Sequence, residues 1–509
     1  MKKAWPFLFL ILVCLPVISA LVKPGFYITH DGEFNLVRLM HFDSELRKGQ
    51  FPVRWSFDLN FRYGSPIFTF FYPLMYYLGS LIHFFGFDFG SSLKILIAGA
   101  TVGSVLLMYL WLSKRFSILA ALVGSVLFLF VPYRLLVMYV TGSFGVLLSL
   151  LFAPLAFLAI DRRSPTLLSI AIFGLLTAHN VTALILLPVV ILYALVAGKP
   201  RRDLVSGFFL GLGLASFFLL PALTETKYVF LSRGAVVDFR DHFPSLKQLI
   251  YSPWGYFYSN RGENDGMSFQ VGIAQLVVVV LSVPLLVSRL WKKRLGENTK
   301  TAVLFALVFG ISFLMMLPMS KIIWETVPML PQIQFPWRLL AVGVVTIPFL
   351  TAAVVDSKLG RIMALLLIGL VIWNNRNYLR TWEMTRYSDE SYRSRESLYY
   401  GSTDIAWETR PIWVEEKPAW LPVVINQFYY PSWKVTVDGV GVETKPTERF
   451  GLLSFEIKEG QHDVVIKQTK TTIQQLADGI SLLSGLAIIY LVMGPVRKPS
   501  KRRKGQRPS

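Results

Sequence analysis

Two acidic residues stand two positions apart in the run Thr29-His30-Asp31-Gly32-Glu33. A carboxylate can accept a proton from a hydroxyl group as a general base, which typically contributes about 10²–10⁴-fold to a rate. Carboxylates are also natural ligands for hard divalent cations such as Mg²⁺ or Mn²⁺. Acidic residues in a loop are most often simply solvated, so this run by itself makes Asp31 and Glu33 candidates for catalysis or for a metal site.

A second group of residues suits an anionic ligand. Arginine grips phosphate through a planar fork of donors and keeps its charge, although an arginine beside a tryptophan is also an ordinary interface residue. His179-Asn180 can either cap a helix or contact a substrate. We expect a substrate-binding set of polar residues at the ends of apolar segments: His30, Arg54, Trp55, Arg134, His179, Asn180 and Arg338.

Several common chemistries lack their sequence signatures. The chain has no Cys/His spacing typical of a metal site, no glycine-rich phosphate loop and no nucleophile elbow. Its single cysteine, Cys14, excludes an intrachain disulfide.

Composition identifies the elements that must position these residues. Hydrophobic residues make up 54% of the chain and charged residues 16%, whereas soluble domains carry about 25% charged residues. Apolar blocks such as 302–317 and 362–372 contain no charged residue. Because only helices and closed barrels satisfy their backbone in lipid, many such blocks predict an α-helical polytopic membrane protein.

The order of the apolar blocks predicts about twelve transmembrane helices. Residues 1–21 form either an uncleaved first span or a signal peptide cut after residue 20. The aromatic stretch 66–87 is expected to be interfacial or re-entrant rather than spanning, and a full crossing there would make thirteen spans. The remaining spans are expected at 92–112, 117–131, 144–160, 165–178, 180–197, 203–221, 269–288, 301–318, 338–355, 361–375 and 473–495.

The net charge of +20 comes from short basic bursts between the apolar blocks. Short basic loops are typical of the cytoplasmic side of a membrane protein, so we predict no nucleic-acid partner. With twelve spans every burst, both termini and the tail lie in the cytoplasm, and the chain is placed in the cytoplasmic (plasma) membrane. The bursts are Lys114-Arg115, Arg162-Arg163, Lys199 with Arg201-Arg202, Arg289 with Lys292-Lys293-Arg294, Lys358 with Arg361, and the residues of the tail.

The same count divides the chain into regions. Residues 1–375 form the helical domain, with external loops at 22–91 and 222–268; residues 376–472 form an external β-rich domain, 473–495 the last span and 496–509 a basic cytoplasmic tail. Hairpin patterns predict strands at 421–425, 433–437, 440–444, 452–457 and 462–468, with a turn at Asp438-Gly439.

A longer set of motifs resembles the bacterial and archaeal membrane proteins labelled "6-pyruvoyl-tetrahydropterin synthase-related". Three later motifs agree with the first loop, and the similarity extends over essentially the whole chain. The first-loop motif comprises His30-Asp31, Phe34, Arg38, Gly49, Pro52, Arg54-Trp55, Tyr63-Gly64, Pro66, Phe68, Phe71 to Leu74 and Tyr76-Tyr77. The later motifs are His179 to Leu184, Phe335 to Arg338, and Tyr430 to Trp433 with Asp438-Gly439.

The architecture resembles the GT-C superfamily of membrane glycosyltransferases, and nothing resembles a soluble pterin enzyme. That resemblance implies a sugar donor linked to polyprenyl phosphate and an acidic catalytic residue in the first external loop. It makes Asp31 the first candidate for the catalytic residue and Glu33 the second. A bound Mg²⁺ or Mn²⁺ at these carboxylates is left open.

The expected function is therefore transfer of a sugar from polyprenyl phosphate to a glycan, lipid or protein acceptor at the outer face of the membrane. A non-enzymatic role in lipid or glycan transport or in envelope assembly is the alternative. A degenerate transferase that only binds is a third option, because Asn35 stands where the pattern often has histidine and residues 139–146 contain no acid. The interiors of the expected spans are nearly free of ionisable groups, which argues against ion-coupled transport.

The predicted topology can be tested with an epitope tag inserted between residues 222 and 268. The twelve-span arrangement places this loop outside the cell, so an impermeant antibody should label intact cells. A tag on the C-terminal tail is the matched control and should react only after permeabilisation. Labelling of the 222–268 tag only from the cytoplasmic side would contradict the arrangement.

Overall fold

The computed structural model describes residues 4–198, 202–233, 237–262, 265–403, 408–415, 425–457 and 461–493. Helices dominate, and short strands occur near the first loop and in the C-terminal part. The helices are α1 Trp5–Ile18, α2 Gly32–Arg47, α3 Ile67–Phe70, α4 Leu74–Phe84, α5 Phe89–Leu112, α6 Ile118–Leu129, α7 Pro132–Leu136, α8 Phe144–Arg162, α9 Pro165–Ala178, α10 Asn180–Tyr193, α11 Arg202–Thr224, α12 Leu246–Ile250, α13 Ile273–Trp291, α14 Glu297–Met315, α15 Lys321–Thr326, α16 Leu340–Val355, α17 Lys358–Asn375, α18 Asp389–Ser394, α19 Glu396–Tyr399 and α20 Thr472–Met493. The strands are β1 Phe26–Tyr27, β2 Met384–Thr385, β3 Trp433–Val437, β4 Val440–Val442, β5 Thr444–Pro446, β6 Leu453–Phe455 and β7 Val464–Gln468.

Eight helices in the described part are long and apolar enough to cross a membrane, or nine if the bent pair Ile118–Leu129 and Pro132–Thr141 is one span. The expected number of twelve is therefore not confirmed. Two expected spans correspond to the shorter apolar helices Pro165–Ala178 and Asn180–Val196. A helix rises about 1.5 Å per residue and the apolar core is about 30 Å thick, so the 14-residue α9 is short for a complete crossing.

The aromatic stretch at 66–87 does not form one long helix. It contains the four-residue α3 and the 11-residue α4, separated by Phe71, Tyr72 and Pro73. Eleven residues span about 16 Å, which is too short for a crossing. This geometry agrees with the prediction that the stretch does not span the membrane.

The helices pack around a fully buried central helix, α16, in which every residue is buried. It contacts α6, α13 and α14, while α5 packs between α6 and α8. At the periphery, α20 packs on α11 and buries only Gln474 and Ala477 among its described residues. The apolar exposed surface of α20 is the surface expected of a helix in contact with lipid.

The two ends of the bundle differ in charge. At one end, which we call the basic end, Arg115 on the α5–α6 connection pairs with Asp161 of α8, its Nε lying 2.6 Å from the carboxylate. Ser117 N–H donates to Asp356 after α16 at 3.3 Å, so these connections share one end. The opposite end, the site end, carries the first loop, the 222–272 region and the strands.

Three small antiparallel sheets lie at the site end. β1 pairs with β2, β3 pairs with both β4 and β7, and β5 pairs with β6. The strands predicted at 433–437, 440–444, 452–457 and 462–468 all overlap observed strands, and most of the strand predicted at 421–425 lies outside the described residues. The small β region near the C-terminus is therefore confirmed.

A second hydrophobic core joins this β region to the first loop. It is separate from the large core of the bundle and contains Trp55 and Tyr63 from the loop and Phe428, Tyr430 and Trp433 from the β region. Residues 384–399 pack differently, because β2 pairs with β1 and α19 contacts α2. The segments between α17 and α20 thus cover the first loop from two sides.

Candidate functional site

A cavity of about 290 Å³ opens at the site end of the bundle. Its wall combines charged and polar side chains with apolar ones from α10 and the segment before α4. The lining residues are Asp31, Arg38, Phe70, Phe71, Tyr72, Ser143, His179, Asn180, Val181, Leu184, Leu231, Gln332, Gln334, Arg338, Glu408 and Thr409. Four of the residues predicted from the sequence, Asp31, His179, Asn180 and Arg338, are thus brought together.

Asp31 occupies the residue before the first turn of α2, but its carboxylate does not cap the helix. It instead accepts a hydrogen bond from the Ser143 hydroxyl at 3.1 Å. The backbone is fixed by two further bonds, from His30 N–H to the Val140 carbonyl at 3.0 Å and from Asp31 N–H to the Thr141 carbonyl at 2.9 Å. The carboxylate is therefore held in the cavity wall by the segment that follows the bent helix pair.

Gly142 allows this close approach of two segments. Its backbone is left-handed, with φ of +68°, and a Cβ atom there would lie 2.1 Å from Thr29 Oγ1. Glycine adopts this conformation without the steric cost that other residues incur. The Asn35 amide also donates to the Gly142 carbonyl at 2.9 Å, which ties the first turn of α2 to the same residue.

Two arginines line the cavity, Arg38 from α2 and Arg338 from the turn before α16. Arg38 is buried, its guanidinium lies 4.3 Å from the centre of the Phe71 ring, and it donates to the Asn35 side chain and the Thr403 carbonyl. Its Nε is buried without a hydrogen-bond partner among the described residues. A buried arginine with an unused donor favours an anionic ligand beside it.

Arg338 is held by the turn that precedes α16. Its Nη1 donates to the Ile333 carbonyl at 3.0 Å and to the Gln334 side chain at 2.9 Å. Gln334 has φ of +67° and ψ of −45°, and Phe335 N–H donates back to the Ile333 carbonyl at 2.8 Å, which is a strained γ-turn. In the described part of the chain, Nε and Nη2 of Arg338 make no hydrogen bond to protein.

His179 lies at the break between α9 and α10, where it both caps a helix and lines the cavity. Its Nδ1 accepts the Thr182 backbone N–H at 3.1 Å, so in the neutral ring the proton is on Nε2. Burial, together with the charge of Arg338, lowers the pKa of His179 to about 3. The ring is therefore neutral at physiological pH and can donate through Nε2, but cannot act there as a base.

Tyr72 completes this side of the cavity. Its ring centre lies 4.7 Å from that of His179. A Cβ atom at Gly145 would lie 2.6 Å from the Tyr72 ring and 2.3 Å from the Ala178 carbonyl, so a glycine is needed for this contact. Asn180 adds an amide that donates to the Phe70 carbonyl at 3.0 Å.

Other predicted site residues lie elsewhere. Glu33 pairs with Arg395, 2.8 Å from its Nη1, and does not line the cavity. His30 precedes Asp31 but does not line the cavity, and its Nε2 lies 3.2 Å from the Tyr256 carbonyl. Arg134 is fully buried inside the bundle and donates to Ser104 Oγ at 2.6 Å.

Arg54 and Trp55 are engaged by structural partners. Arg54 forms an ion pair with Asp478 of α20 and donates to the Phe217 carbonyl at 3.0 Å. Trp55 packs against Tyr430 and Trp433 in the second core, with ring centres 5.8 and 5.9 Å away. Neither residue lines the cavity, and the phosphate-binding role predicted for Arg54 has no geometric support.

The two carboxylates of the first loop do not form a metal site. Asp31 faces Ser143 in the cavity, whereas Glu33 is turned to Arg395. Among the described residues, no group of three or more His, Cys, Asp or Glu side chains is placed to hold a metal ion. The structure therefore does not bring Asp31 and Glu33 together as a pair of ligands for a divalent cation.

Twelve of the sixteen wall residues were not among the predicted site residues, and these include Arg38, Tyr72, Ser143 and Glu408. Arg38 and Tyr72 both belong to the first-loop motif, so their presence in that pattern was a usable signal. Ser143 lies in the segment noted only for lacking an acid. Glu408 stands in a part of the chain without any motif, and only the fold brings its charge near Arg338.

Comparison with known proteins identifies the family. The model of the family described as "6-pyruvoyl-tetrahydropterin synthase related domain; membrane protein" matches residues 68–386, and the chain belongs to this family. The resemblance of the sequence to this family is thereby confirmed, and the matched region ends before the Tyr430–Trp433 motif. A comparison with curated proteins gives no match.

Among solved structures, the chain is similar to glycosyltransferases. The mycobacterial arabinofuranosyltransferase AftD has 14% identity and a TM-score of 0.49, over 76% of this chain and 29% of that one. The apo oligosaccharyltransferase of Archaeoglobus fulgidus has 14% identity and a TM-score of 0.45, over 81% of this chain and 61% of that one. The chain thus spans less than two thirds of the length of either protein.

The structural role of Arg54 can be tested with the variants Arg54→Met and Asp478→Asn. Removing one partner of a buried ion pair costs about 3–5 kcal/mol, so each single variant should lower the thermal unfolding midpoint in detergent. The double variant should lose less than the sum of the single losses. An unchanged midpoint in Arg54→Met would contradict a structural pair and return Arg54 to the list of binding residues.

Proposed function

We propose that this protein is a membrane glycosyltransferase that moves a sugar from a polyprenyl-phosphate donor to an acceptor at the outer face of the cytoplasmic membrane. The observation that carries the proposal is the convergence of Asp31 with Arg38 and Arg338 on one cavity. A base for the acceptor and donors for a phosphate are the two requirements of this reaction. Membership of a membrane protein family agrees with it.

The transfer needs one base and no acid. The acceptor hydroxyl oxygen attacks the anomeric carbon and forms the new glycosidic bond, while the bond from that carbon to the phosphate oxygen breaks. The electron pair leaves with polyprenyl phosphate, which is stable as an anion and needs no proton. Asp31 accepts the proton of the attacking hydroxyl, and the anomeric configuration inverts.

Arg338 and Arg38 stabilise the charge that develops on the leaving phosphate. Fixed cations at the place where charge develops often make the largest single contribution to catalysis. Arg338 offers Nε and Nη2, and its guanidinium is fixed by the Gln334 side chain and the Phe335 ring. In this proposal Arg38 takes the phosphate-binding role that the sequence analysis gave to Arg54 together with Arg338.

Polar and apolar parts of the wall suit an amphipathic donor. His179 can donate to a sugar or phosphate oxygen through Nε2, while Phe70, Val181 and Leu184 offer apolar contacts for the first part of a lipid chain. Ligand pockets usually measure about 300–1,000 Å³, so a cavity of about 290 Å³ accommodates a phosphosugar head rather than a whole lipid. The lipid would then extend along the bundle into the bilayer.

The proposal predicts that Asp31→Asn abolishes transfer without disturbing the fold. Asparagine keeps the shape of the side chain and an acceptor for Ser143 but cannot take a proton, so the rate should fall by about 10²–10⁴-fold. Mass spectrometry of surface glycans and membrane lipids in a complemented deletion host should show a missing sugar and accumulated polyprenyl-phosphate sugar.

Asp203→Asn is the matched control, since it removes a carboxylate at the start of α11 at the basic end. It should restore the wild-type glycans at equal expression. If Asp31→Asn also restores them while the deletion does not, Asp31 has no catalytic role. A transport, assembly or binding function would then replace the transferase.

A further inference from the structure

Three aromatic side chains are exposed beside the first loop. Phe257 and Tyr258 are 61% and 62% exposed, and Trp382 is 50% exposed. Together with the half-buried Tyr256 they form a surface that we call the aromatic platform. Exposed apolar patches usually mark a binding surface, since single scattered residues are the norm elsewhere.

Contacts between the rings fix the positions of the platform side chains, although these side chains remain exposed. Tyr258 stacks on His30 with ring centres 4.3 Å apart, and Phe257 meets the Trp382 ring edge-on at 5.4 Å. The rings of Tyr256 and Trp382 are nearly parallel, with an angle of 19° between them. The Tyr256 hydroxyl donates to the Arg380 carbonyl at 2.9 Å, which ties the two segments together.

The platform shares its backbone frame with Asp31. His30, the neighbour of Asp31, lies with Nε2 3.2 Å from the Tyr256 carbonyl. Ile28 N–H donates to the Glu383 carbonyl at 3.0 Å, one residue after Trp382. The exposed rings are therefore attached to the segment that carries the carboxylate.

The rim of the platform distinguishes a polar ligand from lipid. Exposed residues of both charges and an amide flank the rings: Asn260, Arg261, Arg380 and Glu383. At the end of α4, in contrast, the exposed rings of Phe84, Phe85 and Phe87 stand with the aliphatic Leu81, as expected of a surface in the bilayer interface. A patch surrounded by hydrogen-bonding groups suits a ligand that has both C–H faces and hydroxyl groups.

We propose that the aromatic platform binds the sugar rings of a glycan acceptor. The C–H face of a pyranose or furanose ring packs on an aromatic face, and its hydroxyls bond to the rim. The identification of the glycan as an acceptor rests on the proposed transferase function, whereas the binding itself does not. The acceptor would reach Asp31 past His30, so a terminal hydroxyl enters the cavity while preceding sugars remain on the rings.

The test is saturation-transfer NMR with the full chain in nanodiscs. The probe is a mixture of oligosaccharides released by mild acid from the host's own envelope polysaccharide. Wild type should transfer saturation to sugar protons, and Trp382→Ala and Tyr258→Ala should each weaken binding roughly tenfold, as for central aromatic contacts in other interfaces. Trp382→Phe keeps a ring and should retain most of the binding.

Trp291→Ala is the matched control, because it removes a tryptophan that is 86% exposed at the far end of α13. It should bind like wild type. Equal binding by Trp382→Ala, or no binding by wild type, would overturn the proposal. Asp31→Asn should bind oligosaccharide normally and lose only transfer, so failure of the platform and failure of the transferase function give different results.

A second measurement separates glycan from lipid contact. The only cysteine, Cys14, is buried, so Arg261→Cys can be spin-labelled selectively at the rim. The label should collide with a water-soluble relaxation agent more than with oxygen dissolved in the bilayer. Preferential collision with oxygen would show that the platform faces lipid, and the proposal would be wrong.

Discussion

Two backbone hydrogen bonds determine where the carboxylate of the first loop can act. His30 and Asp31 donate to the carbonyls of Val140 and Thr141, which end the bent pair Ile118–Leu129 and Pro132–Thr141. The helix pair turns by 43° at its break, and its last residues meet the start of α2. Glycine is the only residue type that fits at position 142 in this conformation, because a Cβ atom there would meet Thr29 and Gly32. The position of Asp31 therefore depends on a contact between parts of the chain more than a hundred residues apart.

Four arginines of the chain differ in how the protein compensates their charge. Arg54 and Arg115 have carboxylate partners, Asp478 and Asp161, and so their charges are compensated within the fold. Arg338 and Arg38 are held mainly by carbonyl and amide oxygens and keep unused donors. A charge in a partly buried wall is costly without compensation, and an anionic ligand would supply it. The distinction between the two pairs supports a phosphate-binding cavity on one side of the bundle.

The sequence predicted part of this site because chain position and residue type carry local information. Asp31, His179, Asn180 and Arg338 follow or precede apolar runs, and all four reach the cavity. The same reasoning could not predict towards which side of a helix a side chain points. Glu33 lies two residues after Asp31, about 200° around the axis of α2, and it pairs with Arg395. Nor could it see Asp478, which lies 424 residues from Arg54. The strands between 433 and 468 were predictable because their alternation and turns are local. The number of spans was not, because three expected spans, over 165–178, 180–197 and 361–375, have no counterpart among the long apolar helices of the described residues.

The most direct test of the central claim is the affinity of the purified chain for a polyprenyl phosphate in nanodiscs. Replacement of Arg338 by glutamine removes a charge-assisted contact worth about 1.5–3 kcal/mol, so Kd should rise roughly tenfold to a hundredfold. Arg240→Gln, an exposed arginine paired with Glu325, should leave Kd unchanged. If Arg338→Gln binds the lipid phosphate as tightly as wild type, the cavity does not hold the donor and the account is wrong.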